Sequence, residues 1–169
     1  MLRDMEPADI AGGAFKEARL TYFDGASRIV RYTDVEVPFP EGRLIVSCTD
    51  VPGMITQANK AFVDMSGYSK EELIGAPHYI LRHPDMPRAA FKGLWDTLAR
   101  GEKWTGYVKN LRKDGAYYWV FATVIGNVRK GKLVGYTSVR RKPSRTKIDE
   151  CAKLYPTLFA PGEREAYSP

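Results

Sequence analysis

Cysteine and histidine are both scarce in this chain, with 2 of each among 169 residues. Cys48 and Cys151 lie far apart and form no C-x-x-C pair, so a disulfide framework and a structural zinc site are not expected. His78 and His83 have no further histidine at metal-ligand spacing. Long apolar runs are also missing. The longest, Val120–Val128, is Gly-interrupted and strand-like, far short of the ~18–20 residues that span a bilayer. The N-terminus carries acids early and has no apolar stretch of the secretory type, so a reducing, cytoplasmic setting is expected. No nucleophile elbow, phosphate-cradling glycine loop or metal constellation is present, and no enzyme is expected. Internal repeats and low-complexity segments are absent.

What is present is an ordinary globular composition, 44% hydrophobic and 27% charged, long enough to bury a core. The formal net charge is +6, with a basic excess late in the chain from Lys109 to Lys147. Such a surface reads first as a solvated face, then as a docking or cofactor-phosphate surface. Without a helix-turn-helix, zinc finger or RNP-type motif, nucleic acid is not the expected partner.

Residues 1–42 read as an N-terminal extension. A short helix is expected over Glu6–Leu20, weakened by Gly12 and Gly13. Leu20–Phe23 and Ile29–Val37 flank Asp24-Gly25 as a hairpin. The main domain is expected over 43–142. Leu44–Cys48 and Met54–Gln57 are β-prone, Asn59 caps a helix over Lys60–Ser66, and Ser69-Lys70-Glu71-Glu72 is a capping box. Phe91, Leu94, Trp95 and Leu98 recur at helical spacing within Pro87–Arg100, predicting a helix with a core-facing stripe that includes Trp95. Asp85, just ahead of it, is the natural cap. Thr105–Leu111, Ala116–Ile125 and Leu133–Val139 complete the strands. This order predicts an α+β fold: an antiparallel five-stranded sheet with short helices and one longer helix on one face. Residues 143–169 form a C-terminal helix and tail, with Ile148, Cys151, Ala152, Tyr155 and Leu158 near one stripe.

Asn59-Lys60-Ala61-Phe62 and Ser66-Gly67-Tyr68 through Gly75 resemble the opening of a PAS domain. Leu81-Arg82-His83-Pro84-Asp85-Met86-Pro87, Gly101-Glu102-Lys103-Trp104-Thr105-Gly106, Val108-Lys109-Asn110, Tyr118-Trp119-Val120 and Gly135-Tyr136-Thr137-Ser138-Val139-Arg140 are similar to the aerotaxis-receptor branch of that family. The resemblance runs from about Arg43 to about Leu158. It implies an FAD-binding sensor of oxygen or redox state that signals through a protein partner or output domain. Homodimerisation through the sheet or terminal helices is a further expectation. The receptors continue into a membrane anchor and a helical signalling domain, whereas this chain stops at Pro169, so it is not expected to signal alone.

The flavin-holding residues that the resemblance implies are Arg82, His83, Asp85, Trp104 and Asn110. Arg140 joins them, because a polar residue on the last strand often meets the flavin ring edge; its alternative is a surface member of the basic run. If Asn110 faces inward, strand alternation turns Tyr118, Val120, Ala122 and Val124 toward the ligand and Trp119 away. Light sensing would need a cysteine in the helical segment beside the flavin, and neither cysteine lies there. Two rivals stay open: a haem gas sensor with His83 or His78 as axial ligand, and a cofactor-free interaction module.

Overall fold

A computed structural model describes residues 2–163. The end of the expected C-terminal tail, 164–169, lies outside the described residues. In chain order the elements are β1 (Lys16–Thr21), β2 (Ser27–Tyr32), β3 (Ile45–Thr49), β4 (Ile55–Ala58), α1 (Lys60–Ser66), α2 (Lys70–Leu73), α3 (Arg88–Ala99), β5 (Trp104–Leu111), β6 (Tyr117–Arg129), β7 (Lys132–Arg141) and α4 (Arg145–Leu154). The main sheet runs β4-β3-β7-β6-β5, antiparallel throughout, and β1-β2 form a separate two-stranded sheet.

Local chemistry sets the helix ends. Asn59 Oδ1 accepts from the backbone N–H of both Phe62 and Val46, while its amide donates to Leu44 O. One side chain thus starts α1 and fixes it to β3. Asn59→Ala is expected to cost about 0.5–2 kcal/mol, the usual value of a lost cap, read from the urea midpoint. Ser69 and Glu72 form the reciprocal capping box. Between β6 and β7 the turn takes left-handed residues at Lys130 and Gly131, the pair that a tight hairpin requires. Gly135 is needed for a different reason: a Cβ there would sit 2.1 Å from the Thr49 carbonyl oxygen, so any side chain would part β7 from β3.

Helices α1 and α2 close over one face of the sheet. Phe62, Met65, Leu73, Ile80 and Leu81 pack there with Ile45, Tyr118, Val120 and Ala122. The short helices and α3 thus lie on one face as expected, and the opposite face is covered by the C-terminal helix. Trp119 turns outward and meets Ile148 and Cys151 of α4 together with Tyr155, whose hydroxyl donates to Tyr107 O at 2.5 Å. Of the predicted tail stripe, Ile148, Cys151 and Tyr155 pack, while Ala152 and Leu158 are exposed.

The N-terminal segment also departs from its reading. In place of a helix over Glu6–Leu20 there is one 3-10 turn, Pro7–Asp9, followed by β1. Ala18 and Leu20 alternate with Glu17, Arg19 and Thr21, a period of two that belongs to a half-buried strand. The expected hairpin is present, with β1 paired to β2 across the Asp24-Gly25 turn. It packs through Met5, Leu20, Tyr22 and Val30 onto Leu111, and the segment after it bonds to β6 through Val37 N–H to Tyr117 O at 2.7 Å.

Candidate functional site

A cavity of about 160 Å³ lies between the concave sheet face and α3. The register explains why a hollow forms there. Arg140 sits beside Ala122, and Ala122 beside Gly106, so two small residues lie in one row across β7, β6 and β5. The Trp104 indole folds over Gly106, where an added Cβ would come within 2.3 Å of the ring. Val120, Ala122 and Val124 of β6 and Val108 and Asn110 of β5 line the sheet side. Phe91, Leu94, Trp95 and Leu98 of α3 form the facing wall. Only Leu98 of that stripe is buried, and Trp95 is 43% exposed. The stripe therefore lines a void, and Trp95, edge-on to Tyr136 at 5.5 Å, is not a core residue as its spacing suggested.

Arg140 is the unusual member of this wall. Although it opens a run of three basic residues, it is 2% exposed, because strand alternation turns it inward and Arg141 outward. Its guanidinium lies over the Phe62 ring at 4.5 Å, and Nη2 donates to Ser47 Oγ. Nε and Nη1 are buried without a hydrogen-bond partner, and among the described residues no carboxylate pairs with it. Burial lowers its pKa to about 10, still a cation at neutral pH. Ser47 Oγ accepts from Arg140, which leaves the serine hydrogen for His78 Nε2 at 3.3 Å. His78, also on the cavity wall, is kept neutral; burial first, then the Arg140 charge, pushes its pKa down to about 3.

The residues expected at the site divide into two groups. Arg82, Trp104, Asn110 and Arg140 line the cavity. Arg82 stacks on Phe91 at 4.2 Å and donates to Met86 O at 3.0 Å, while its backbone bridges to Asn110. His83, Asp85 and Tyr118 are not among the lining residues. His83 is fully buried between the edges of Tyr32 and Tyr117, with Nδ1 accepting from the Asp85 N–H at 3.0 Å. Asp85 does not cap α3, whose N-cap is Pro87 with no side-chain bond. Its carboxylate instead reaches Lys109 Nζ at 2.8 Å. Tyr118 shares the Asn110 face but is sealed in the core behind the cavity. Sequence reasoning passed over Ser47 and Ser138 as cavity residues. Their only signal is a small residue at an inward strand position.

Residues 55–140 match the PAS fold family, half of the chain, from the start of β4 to Arg140 of β7 and with most of the cavity-lining residues. The chain belongs to the PAS family. This PAS domain is 45% identical over 128 residues to the aerotaxis receptor of Escherichia coli (strain K12), covering 76% of this chain and 25% of the receptor. It is 29% identical over 102 residues to a nitrogen fixation regulatory protein of Klebsiella pneumoniae, covering 60% of this chain and 21% of that protein. The chain thus spans about a quarter of the length of these curated relatives. Among solved structures it is similar to a light-oxygen-voltage domain studied with a flavin analogue, with a TM-score of 0.57 and 26% identity over 68% of this chain and 86% of that one. The dark-state light-oxygen-voltage domain of the photoreceptor Aureochrome1 matches with a TM-score of 0.57 and 25% identity, covering 67% and 82%. Neither Cys48 nor Cys151 of the present chain lines the cavity.

Proposed function

We propose that this PAS domain binds a flavin, specifically FAD, and reports redox or oxygen state to a protein partner or output domain in the cytoplasm. The observation that carries this reading is Arg140: a buried cation with two unsatisfied donors on the wall of an apolar cavity. Burying such donors without a partner is costly, so the site calls for a hydrogen-bond acceptor. The carbonyl-rich edge of a flavin ring supplies acceptors, and the Asn110 amide offers both a donor and an acceptor for the same edge. Trp104, Val120, Val124 and Leu98 supply apolar surface for the ring faces, and Arg82 a second cation. The cavity is smaller than the ~300 Å³ at which small-molecule sites begin, so the ring enters only if side chains at the mouth, such as Trp95 and Trp104, give way.

When bound, the flavin supplies reversible one- and two-electron chemistry, while the protein tunes it by charge and hydrogen bonds. Arg140 and Asn110 are the groups here that answer a change in ring charge. Through Ser47 and the β3–β7 register, Arg140 connects that change to the sheet. The aerotaxis receptor and the light-oxygen-voltage domains support a flavin sensor by kinship; the choice of FAD follows from the resemblance of the chain's motifs to the aerotaxis-receptor branch. Haem has less support, since His83 lies off the cavity and His78 Nε2 is engaged by Ser47. Among the described residues no helix is long and apolar enough to cross a membrane.

The purified protein should be yellow and release FAD on denaturation, identified by chromatography. A Soret band without flavin would hand the site to haem, and a colourless protein that takes up neither would leave only an interaction module. Asn110→Ala should keep the fold and weaken flavin binding about tenfold, since one lost hydrogen bond is worth about 1.4 kcal/mol. Titrating the apoprotein with FAD measures it.

A further inference from the structure

A second cavity, of about 280 Å³, lies where the N-terminal segment meets the PAS body, and it shares no lining residue with the first. Leu2, Arg3, Met5 and Asp9 come to it from the N-terminus, Arg28 from β2, and Tyr68, Glu72, Ile80 and Lys113 from the PAS body. Three cations and two carboxylates meet there. Arg3 is taken up by Asp9 at 2.8 Å and Lys113 by Glu72 at 2.6 Å. Arg28 is left over. It is 4% exposed, and among the described residues no carboxylate lies within ion-pair distance of it. Its donors reach only neutral oxygens: Arg3 O at 2.7 Å, Ile80 O at 3.4 Å and the Tyr68 hydroxyl at 3.4 Å.

From this arrangement we infer that the second cavity binds a small organic monocarboxylate. One buried guanidinium without a counter-charge sets the ligand charge at a single negative. The fork of Arg28 suits a carboxylate, and Tyr68, accepting from Arg28, keeps its own hydroxyl hydrogen to donate to the same group. Leu2, Met5 and Ile80 give the carbon body an apolar bed, which inorganic phosphate would leave unused. Phosphate would also bring a second charge against Asp9 and Glu72. A bound carboxylate would join residues of the N-terminal segment to Tyr68 of the PAS body, and so tighten the hairpin on the domain.

The test is a titration of the full chain with butyrate, and separately with inorganic phosphate, at ionic strength held constant with chloride. The Arg28 Nε–H resonance in nitrogen-15 NMR spectra and the melting temperature are followed together. Butyrate should shift the resonance saturably and raise the melting temperature with concentration. Phosphate should do neither. Arg28→Met should abolish the response, and Tyr68→Phe, which keeps the ring, should weaken it severalfold, so the assignment stays testable even if Arg28→Met fails to fold. Saturation by phosphate but not butyrate, no saturation by either, or an undiminished butyrate response in Tyr68→Phe would each overturn it. Because the cavities share no residue, the flavin content of the same samples reports on the first site independently.

Discussion

Arg140→Leu is expected to empty the domain of flavin while leaving an apoprotein that melts no lower than the wild-type apoprotein. The two halves of this expectation have separate causes. In the apo state the guanidinium is buried with Ser47 Oγ as its one hydrogen-bond acceptor among the described residues and Phe62 beneath it. Replacing a poorly compensated buried charge with an apolar group of similar volume is often neutral or stabilising, by about 1–4 kcal/mol. In the holo state the same group would answer flavin acceptors with Nε and Nη1. Two hydrogen bonds from a charged donor are worth about 3–6 kcal/mol, or roughly a hundred- to ten-thousand-fold in affinity. Arg140→Lys should fall between, since an ammonium restores the charge but not the planar fork. The measurements are flavin-to-protein absorbance ratio and melting temperature, before and after flavin removal. Stoichiometric flavin in Arg140→Leu would refute the assignment of this residue, and a melting temperature well below wild type in the apo form would refute the account of its cost.

That prediction turns on a residue whose position the sequence half concealed. Arg140, Arg141 and Lys142 look like one solvated patch when charge is averaged along the chain. Alternation sends the first inward, but which parity faces in depends on pairing with Ile45 and Ala122, far away in sequence. Features written locally were legible: the Asn59 cap, the Ser69 box, the Asp24-Gly25 turn and the alternation that separates Trp119 from Val120. Two misreadings share a cause. The α3 stripe gives the direction in which Phe91, Leu94 and Trp95 point, but periodicity does not say whether a neighbour waits there, and here the stripe faces a cavity whose opposite wall includes the small Ala122. Asp85 reads as a cap because Pro87 and a helix follow. Its carboxylate instead goes to Lys109, a cation on a strand more than twenty residues on, and Pro87 opens the helix unaided. The resemblance placed Arg82, Trp104 and Asn110, which meet at one cavity, together with His83 and Asp85, which stand beside it. It had no physical means of separating residues that line a site from residues that shape the loop supporting it.

His83 illustrates the second role, and it makes the domain acid-labile. Burial pushes the pKa of His83 from 6.5 down to about 3, with the Lys109 charge adding to it and Asp85 opposing; Lys16 adds a smaller push in the same direction. His78 is lowered to about 3 by burial and by Arg140. Both rings are therefore neutral in the folded state across the physiological range. In the unfolded chain they take up protons once the pH falls below about 6.5. Between about pH 6.5 and pH 3 the unfolded state holds two protons that the folded state refuses, so stability is full above 6.5 and falls with acid. The slope approaches ~1.4 kcal/mol per pH unit for each histidine. At pH 5 the loss is about 2 kcal/mol apiece, or ~4 kcal/mol together, a large part of the ~5–15 kcal/mol that domains of this size possess. Carboxylates do not blur the upper part of this window, above about pH 5. Asp9, Asp24, Asp64 and Glu72 are all lowered from values already near 4, so their contributions fade only in stronger acid. Urea unfolding at half-unit steps from pH 7.5 to 5 should show the free energy bending downward near 6.5. His83→Gln should halve the slope below the bend, whatever it does to stability at pH 7.5, because it removes one titrating group. A flat profile from pH 7.5 to 5, or a slope that His83→Gln leaves untouched, would mean that the rings gain protons without unfolding and are not sealed as their burial indicates.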